Sequence, residues 1–326
     1  MLGEFDLIRA YFQDQVGPGV LGVGDDAARM PMPPGEQIVV CKDLLIEGRH
    51  FFPDVDPETL GHKALAVNLS DLAAMGSKPL GFLLGIGLPE ANPQWLAAFS
   101  RGMLALGHSA GCPLIGGDTV RVGSEKVISI TALGTLPAGQ PGLLRQAAKD
   151  GDDVWVSGSL GAAHVALLGL QGDERITPER LGSLRPALEM PQPRLALGQA
   201  LLGIAHAAID VSDGLVQDLG HVLQASGCGA VLESSRLPID VRLNGLADEL
   251  RLKAALSGGD DYELCFTAPL ARREDILTLA RSVAVPVTRI GRIHSAPGLT
   301  VLDDHGQPIS IRQSGFDHFG PAQDDV

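Results

Sequence analysis

One pattern limits the fold more than any other: short apolar runs alternate with longer helical stretches, and the pattern is written twice. QIVVCKDLLI has the Val, Ile and Leu density of a strand, and DPETLGHKALAVNLSDLAAMG follows with Leu60, Ala64, Val67 and Leu72 on one helical face. Pro57 marks that helix's start and Gly76 its end. FLLGIGL reads as a strand, NPQWLAAFSRGMLALGHSAG as a helix closed by glycine, and KVISITALGTL as another strand. PAGQPG, from Pro137 to Gly142, gathers turn residues between two patterned regions. Beyond it the pattern restarts. DDVWVSG, HAAIDVS, YELCFTA and PVTRIGRI are strand-like; LGAAHVALLGLQG, GLVQDLGHVLQASG and REDILTLARSV are helical. Such alternation predicts sheets layered with helices, in two domains, 1–137 and 138–326. Two further segments are predicted helical: GEFDLIRAYF, with Phe5, Ile8 and Phe12 at helical spacing, and a proline-punctuated excursion from Thr177 to Arg194. PLIGGD resembles a buried strand that ends at its double glycine.

Hydrophobic residues make up 45% of the chain and charged residues 20%, the profile of a soluble globular protein. The formal net charge of −14 argues against nucleic acid as a partner, because that affinity comes from Lys and Arg neutralising phosphates. Any phosphate handled here is expected to arrive with metal ions. No run of about 18 apolar residues occurs, so no membrane span is expected. Cys41, Cys112, Cys228 and Cys265 form no C-x-x-C pair, which suits a reducing cytoplasm. The N-terminus lacks the basic start and apolar core of a signal peptide.

Acidic motifs, most of them beside a glycine or a helix start, are the candidates for chemistry: GVGDD (Gly22–Asp26), CKD (Cys41–Asp43), NLSD (Asn68–Asp71), IGGD (Ile115–Asp118), DVSDG (Asp210–Gly214) and SGGDDYEL from Ser257. Each alone is most often just a turn former or helix N-cap. Asp71 is harder to explain so, because it sits in an otherwise apolar helical pattern where an unpaired carboxylate is costly to bury. Carboxylates from several parts of a chain suit Mg²⁺, a hard ion that takes oxygen ligands and keeps waters and substrate phosphates. No G-x-x-x-x-G-K-[ST], H-R-D or D-F-G is present, so neither a P-loop enzyme nor a protein kinase is indicated.

In order, GEFDLI, GVGDDAA, the run from Lys42 to Phe51, KALAVNLSDLAAMG, LIGGDT, AIDVSDGL, LSGGDDYELCF and GFDHF closely resemble the thiamine-phosphate kinase family. That family belongs to the superfamily of aminoimidazole ribonucleotide synthetase and selenophosphate synthetase. The resemblance implies ATP-dependent phosphorylation of thiamine phosphate to thiamine diphosphate with several Mg²⁺ ions. It also implies two α+β domains, a mixed N-terminal sheet with helices and an α/β-layered C-terminal domain, and a homodimer whose N-terminal sheets join into a β-barrel. By motif position Asp26, Asp43, Asp71, Asp118 and Asp210 resemble metal ligands, Asp213 one for a further ion, and Cys41 and Lys42 fill ligand positions of the same run. Asp71, Asp118 and Asp210 form the implied catalytic set; Gly117, Asp118, Arg145 and Ser212 the ATP contacts; His50, Asp260 and Phe316 the thiamine phosphate contacts. Ordinary alternatives stand beside these. His50 reads as a plain histidine, Phe316 as a packing anchor for the tail, Arg145 as a bridge between domains, and Asp213 as a helix N-cap. Asp25 is expected to shape the turn or to orient its neighbour Asp26.

Three residues depart from the family pattern. Cys41 replaces a hydroxyl residue, and a thiol is a soft ligand poorly matched to Mg²⁺. Lys42 replaces a small or uncharged residue, but strand alternation turns it away from the face shared by Cys41 and Asp43. Asp260 stands where the family more often has Glu. The alternatives in function are an aminoimidazole ribonucleotide synthetase-like ligase, a metal-dependent phosphohydrolase and a nucleotide sensor.

Overall fold

The computed structural model describes residues 4–24 and 27–310. The chain divides into one unit of Met1–Gly142 with Glu189–Ala200, and another of Leu143–Leu188 with Leu201–Val326.

The first unit opens with a helical turn, α1 (Glu4–Leu7), that widens into a π-helical turn over Ile8–Phe12, and it buries Leu7 and Phe12. Then come β1 (Glu36–Ile46), α2 (Pro57–Ala74), β2 (Lys78–Leu88), α3 (Pro93–Ala110), β3 (Leu114–Arg121) and β4 (Val127–Pro137). α2 begins where the sequence signals it. Asp56 accepts the Glu58 N–H and Pro57 takes the first turn, where a missing N–H costs nothing. Asn92 caps α3 in the same way, and Gly111 closes it in the left-handed conformation. The sheet order is β1-β4-β2-β3, antiparallel except for the parallel β2/β3 pair. Its inner face packs Phe82, Leu84, Ile128 and Ile130 with Leu65, Leu69 and Leu72 of α2 and Phe99 of α3. On the other side, Ile38, Val40 and Leu44 of β1 remain 52%, 55% and 48% exposed.

The double glycine does not end β3, which runs through Gly116 and Gly117 to Arg121. A Cβ at Gly117 would stand 1.9 Å from the Leu84 carbonyl oxygen of β2, so the close strand approach itself requires glycine there.

The second unit contains β5 (Asp153–Ser157), α4 (Ala162–Leu170), α5 (Pro178–Glu189), β6 (Ala207–Asp210), α7 (Leu215–Ser226), β7 (Gly229–Glu233), α8 (Asp248–Ser257), β8 (Leu264–Ala268), α9 (Arg273–Ser282), β9 (Val287–His294) and β10 (Gly298–Leu302). Between α5 and β6 the chain forms α6 (Leu195–Leu201), most of which counts with the first unit. The six-stranded order is β10-β7-β9-β5-β8-β6. Val154, Val156, Ile209, Leu232 and Ile290 make one face and meet Leu215, Leu219 and Val222 of α7. Both units are therefore mixed sheets layered with helices. Among the described residues neither sheet closes into a barrel, and no helix is long and apolar enough to cross a membrane.

Candidate active site

In the first unit the site is built where β1 crosses α2. The two-residue period of β1 turns Cys41 and Asp43 toward the helix. Lys42 goes the other way, where its Nζ donates to Ser129 Oγ and Thr131 Oγ1 of β4. Asn68, 1% exposed, joins strand to helix: its Oδ1 accepts the Asp43 N–H at 3.1 Å and its Nδ2 donates to the Ala64 carbonyl at 3.2 Å. The Cys41 thiol donates to the Asn68 carbonyl at 3.3 Å. Asp71 lies three residues beyond Asn68, on the same helical face.

This answers the puzzle posed by Asp71. α2 buries nearly everything from Leu60 to Ala74, but Asp71 itself is half-buried, at a place where the packing opens. Its charge acts on the Cys41 thiol. Burial pushes the Cys41 thiol up, and the charges of Asp71 and then Asp43 push it further, so Cys41 stays protonated. Two carboxylates flank one uncharged thiol; the donor set would suit a hard cation such as Mg²⁺ through Asp43 and Asp71 rather than through sulfur.

His50 follows β1 directly. Its Nδ1 accepts the Ile46 N–H at 3.0 Å, which leaves the ring proton on Nε2. Asp118 is exposed on β3, at the opposite edge of the sheet from β1. Sequence reasoning expects Asp118 beside a buried strand end; the structure places it on a continuing, solvent-facing strand. Asp26 and Phe316 lie outside the described residues.

In the second unit, Asp210 ends β6 with 5% exposure, and the chain turns through Val211–Gly214 into α7. Gly214 occupies the N-cap position, so Asp213 is not the cap of α7. Capping comes instead from Asp218, inside the helix: its Oδ2 accepts the N–H groups of Ser212, Asp213 and Gly214, each at 3.0 Å. Burial first, then the charges of Asp210 and Asp213, push the Asp218 carboxyl up to about 7. Asp210 and Asp213 thus stand close enough to Asp218 for their charges to act on it. Asp213 accepts from Gln217 Nε2 at 3.3 Å.

The SGGDDYEL loop is laced to that turn. Asp260 N–H donates to the Ser212 carbonyl and Tyr262 N–H to the Val211 carbonyl, both at 2.8 Å. Asp260 and Tyr262 take φ values of 65° and 49°, which side-chain-bearing residues rarely adopt. Between them, both Asp261 oxygens accept the Gly161 N–H at 3.0 Å at the start of α4, and burial raises the Asp261 carboxyl well above the usual range. Arg145 is exposed in a short 3₁₀ turn, and its carbonyl accepts the Ser226 hydroxyl at 2.9 Å.

Cys41, Asp43 and Asp71 thus come together in one unit, and Asp210, Ser212, Asp213 and Asp260 in the other. Among the described residues no three His, Cys, Asp or Glu side chains close around a ready-made metal cage. Sequence reasoning names Asn68 only as the first residue of the NLSD motif, without its role joining strand to helix, and misses Asp218, which sits one helical turn beyond the flagged DVSDG turn.

Two domain families match this chain: AIR synthase related protein, N-terminal domain, over residues 24–136, and AIR synthase related protein, C-terminal domain, over residues 149–304. Fold and acidic turns therefore define a two-domain chain of the AIR synthase related class. Thiamine-monophosphate kinase of Salmonella typhimurium is 42% identical over 97% of this chain and 98% of its own length. The crystal structure of thiamine-monophosphate kinase from Stenotrophomonas maltophilia superposes with a TM-score of 0.81 at 44% identity, covering 91% of this chain and 94% of that one. A structure described as AaThiL complexed with AMPPCP and TMP gives a TM-score of 0.75 at 28% identity, covering 98% and 97%. The chain belongs to the thiamine-monophosphate kinase family of enzymes.

Proposed function

We propose that the chain transfers the γ-phosphoryl group of ATP directly to thiamine phosphate, giving thiamine diphosphate and ADP, with Mg²⁺ ions held by its carboxylates. The observation that carries this reading is the near full-length likeness to thiamine-monophosphate kinases, including a structure named for AMPPCP and TMP. Asp43, Asp71 and Asp118 of the first unit, with Asp26, and Asp210 and Asp213 of the second are the residues that would hold the ions. When bound, Mg²⁺ supplies charge neutralisation and orientation for phosphoryl groups.

The chain's own residues do the rest. Asn68 fixes Asp43 by its backbone and holds it beside Asp71. Cys41, kept as a thiol, adds no charge to the site. Ser212 and Arg145 serve ATP, with Gly117 giving β3 its close approach to β2. His50, with its proton on Nε2, would offer a donor to an oxygen of thiamine phosphate; Asp260 and Phe316 are the other residues proposed for that substrate. The acceptor phosphate has a second pKa of about 6 and is already an oxyanion at neutral pH, so no general base is required. In-line positioning and neutralisation of charge are what phosphoryl transfer chiefly demands.

A homodimer belongs to the same reading, and the half-exposed apolar row of Ile38, Val40 and Leu44 supports a second copy as its occupant. Incubation with ATP, Mg²⁺ and thiamine phosphate, followed by mass spectrometry, should yield thiamine diphosphate and ADP in equal amounts. ADP without thiamine diphosphate would assign a phosphohydrolase instead, and turnover of formylglycinamidine ribonucleotide a ligase. Isolation of a phosphorylated protein on the path would refute direct transfer.

A further inference from the structure

The turn from Ser212 to Gly214 has the form of an anion-binding nest: successive backbone N–H groups converge on one point at the start of a helix. In an open nest that point receives a phosphate. Here it is filled by Asp218 Oδ2, 3.0 Å from all three nitrogens, on a residue that is 2% exposed. A capping box sends a side chain from the first helical turn back to one N–H; Asp218 serves three. Gly214, at the N-cap, has no side chain to do this itself, and a Cβ there would stand 2.9 Å from the Ser257 carbonyl carbon.

We infer that Asp218 is a positioning residue: it occupies the nest so that the turn's amides are satisfied internally, and Ser212 and Asp213 meet nucleotide and metal through their side chains. The inference rests on the proposed roles of Ser212 and Asp213. Its energetic logic is independent of them. Three amides satisfied by one buried carboxyl group can turn to a ligand phosphate only by giving up all three bonds to Asp218 together and leaving that buried group unsatisfied, a cost set against the bonds to phosphate. The turn is therefore pre-set before ATP arrives, and Asp260, whose N–H donates to the Ser212 carbonyl, is set with it.

Two substitutions separate geometry from charge. Asp218→Asn keeps an acceptor at the same reach without the charge; Asp218→Glu keeps the charge and displaces the acceptor. Amide hydrogen exchange at Ser212, Asp213 and Gly214, read on the ligand-free protein, should remain within about threefold of wild type in the Asn variant. In the Glu variant it should accelerate about tenfold or more, with the rest of α7 unchanged. The KM for ATP should rise about tenfold in the Glu variant, more than kcat falls, and less in the Asn variant. Asn exchanging as fast as Glu, or Glu exchanging like wild type, overturns the inference. Should the Glu variant fail to fold, loss of amide protection in the Asn variant still overturns it and retained protection supports it. Because exchange is read without substrate, a failure of the thiamine phosphate reading shows separately, as absent turnover with the three amides behaving as expected.

Discussion

The backbone N–H of Asp260 donates to the carbonyl of Ser212 at 2.8 Å. The loop proposed to touch thiamine phosphate and the turn proposed to touch ATP therefore share a hydrogen bond, with a second alongside from Tyr262 to Val211. Under that proposal the acceptor and donor sides of the reaction would be held in one backbone frame, as an in-line transfer would require.

That frame holds Asp260 at φ 65°, a conformation costing a non-glycine residue about 1 kcal/mol. Asp260→Gly should therefore leave thermal stability equal or slightly higher while raising the KM for thiamine phosphate about tenfold. Thermal denaturation beside steady-state kinetics checks both halves. A lower Tm with unchanged KM would remove Asp260 from the substrate site and make its side chain structural.

Asp71 presents a similar contrast between stability and function. Its carboxylate and that of Asp43 both press their charge on the Cys41 thiol. Asp71→Asn should fold with equal or higher Tm in EDTA, yet lose kcat by about 100-fold or more at saturating Mg²⁺. Near-normal kcat would contradict the assignment.

Much of this is legible in the sequence, for identifiable reasons. The opposite facing of Cys41 and Lys42 follows from the period of a strand, and the span of α2 from Pro57 and Gly76. What escapes depends on partners distant in sequence. β3 continues through Gly116 and Gly117 because β2 lies alongside, whereas the glycines by themselves argue for a stop. The share of Glu189–Ala200 in the first unit rests on interactions such as Gln199 Nε2 with the Ser77 carbonyl at 3.3 Å, which no local pattern announces. Asn68 and Asp218 look like ordinary polar positions of helices until the backbone groups they satisfy are folded against them.

The same returning segment makes stability depend on pH. His62 of α2 bonds the Pro191 carbonyl through Nε2 at 2.8 Å, and burial lowers its pKa. Its folded value lies below the ordinary 6.5, so the unfolded chain binds the proton more readily and stability falls as pH drops below about 6.5. Melting temperatures from pH 7.5 to 5 should decline less steeply in His62→Gln than in wild type. Equal slopes would mean that His62 does not titrate between the two states.

At Cys41 the raised thiol pKa predicts slow alkylation: iodoacetamide at pH 8 should modify it far more slowly than a free thiol. Cys41→Ser places a harder oxygen beside Asp43 and Asp71, and should leave kcat equal while lowering the Mg²⁺ concentration for half-maximal activity severalfold. A large rise in that concentration would show that the sulfur itself contributes to the site.

The exposed row on β1 carries the last expectation. Ile38, Val40 and Leu44 alternate along an edge strand of the four-stranded sheet, with Lys42 between Val40 and Leu44 held flat against Ser129 and Thr131. Covering them would stabilise an interface by on the order of 1 kcal/mol per side chain, and Lys42 already has protein partners that spare it desolvation without a hydrogen bond. A second copy offers the same row and the same need. Wild type should therefore sediment at twice 34.1 kDa, and Val40→Glu, which places a carboxylate in the middle of the row, should sediment near 34.1 kDa with its fold intact by circular dichroism. A wild-type chain that stays at 34.1 kDa at micromolar concentration would rule out the dimer, and a Val40→Glu variant still dimeric would move its interface away from β1.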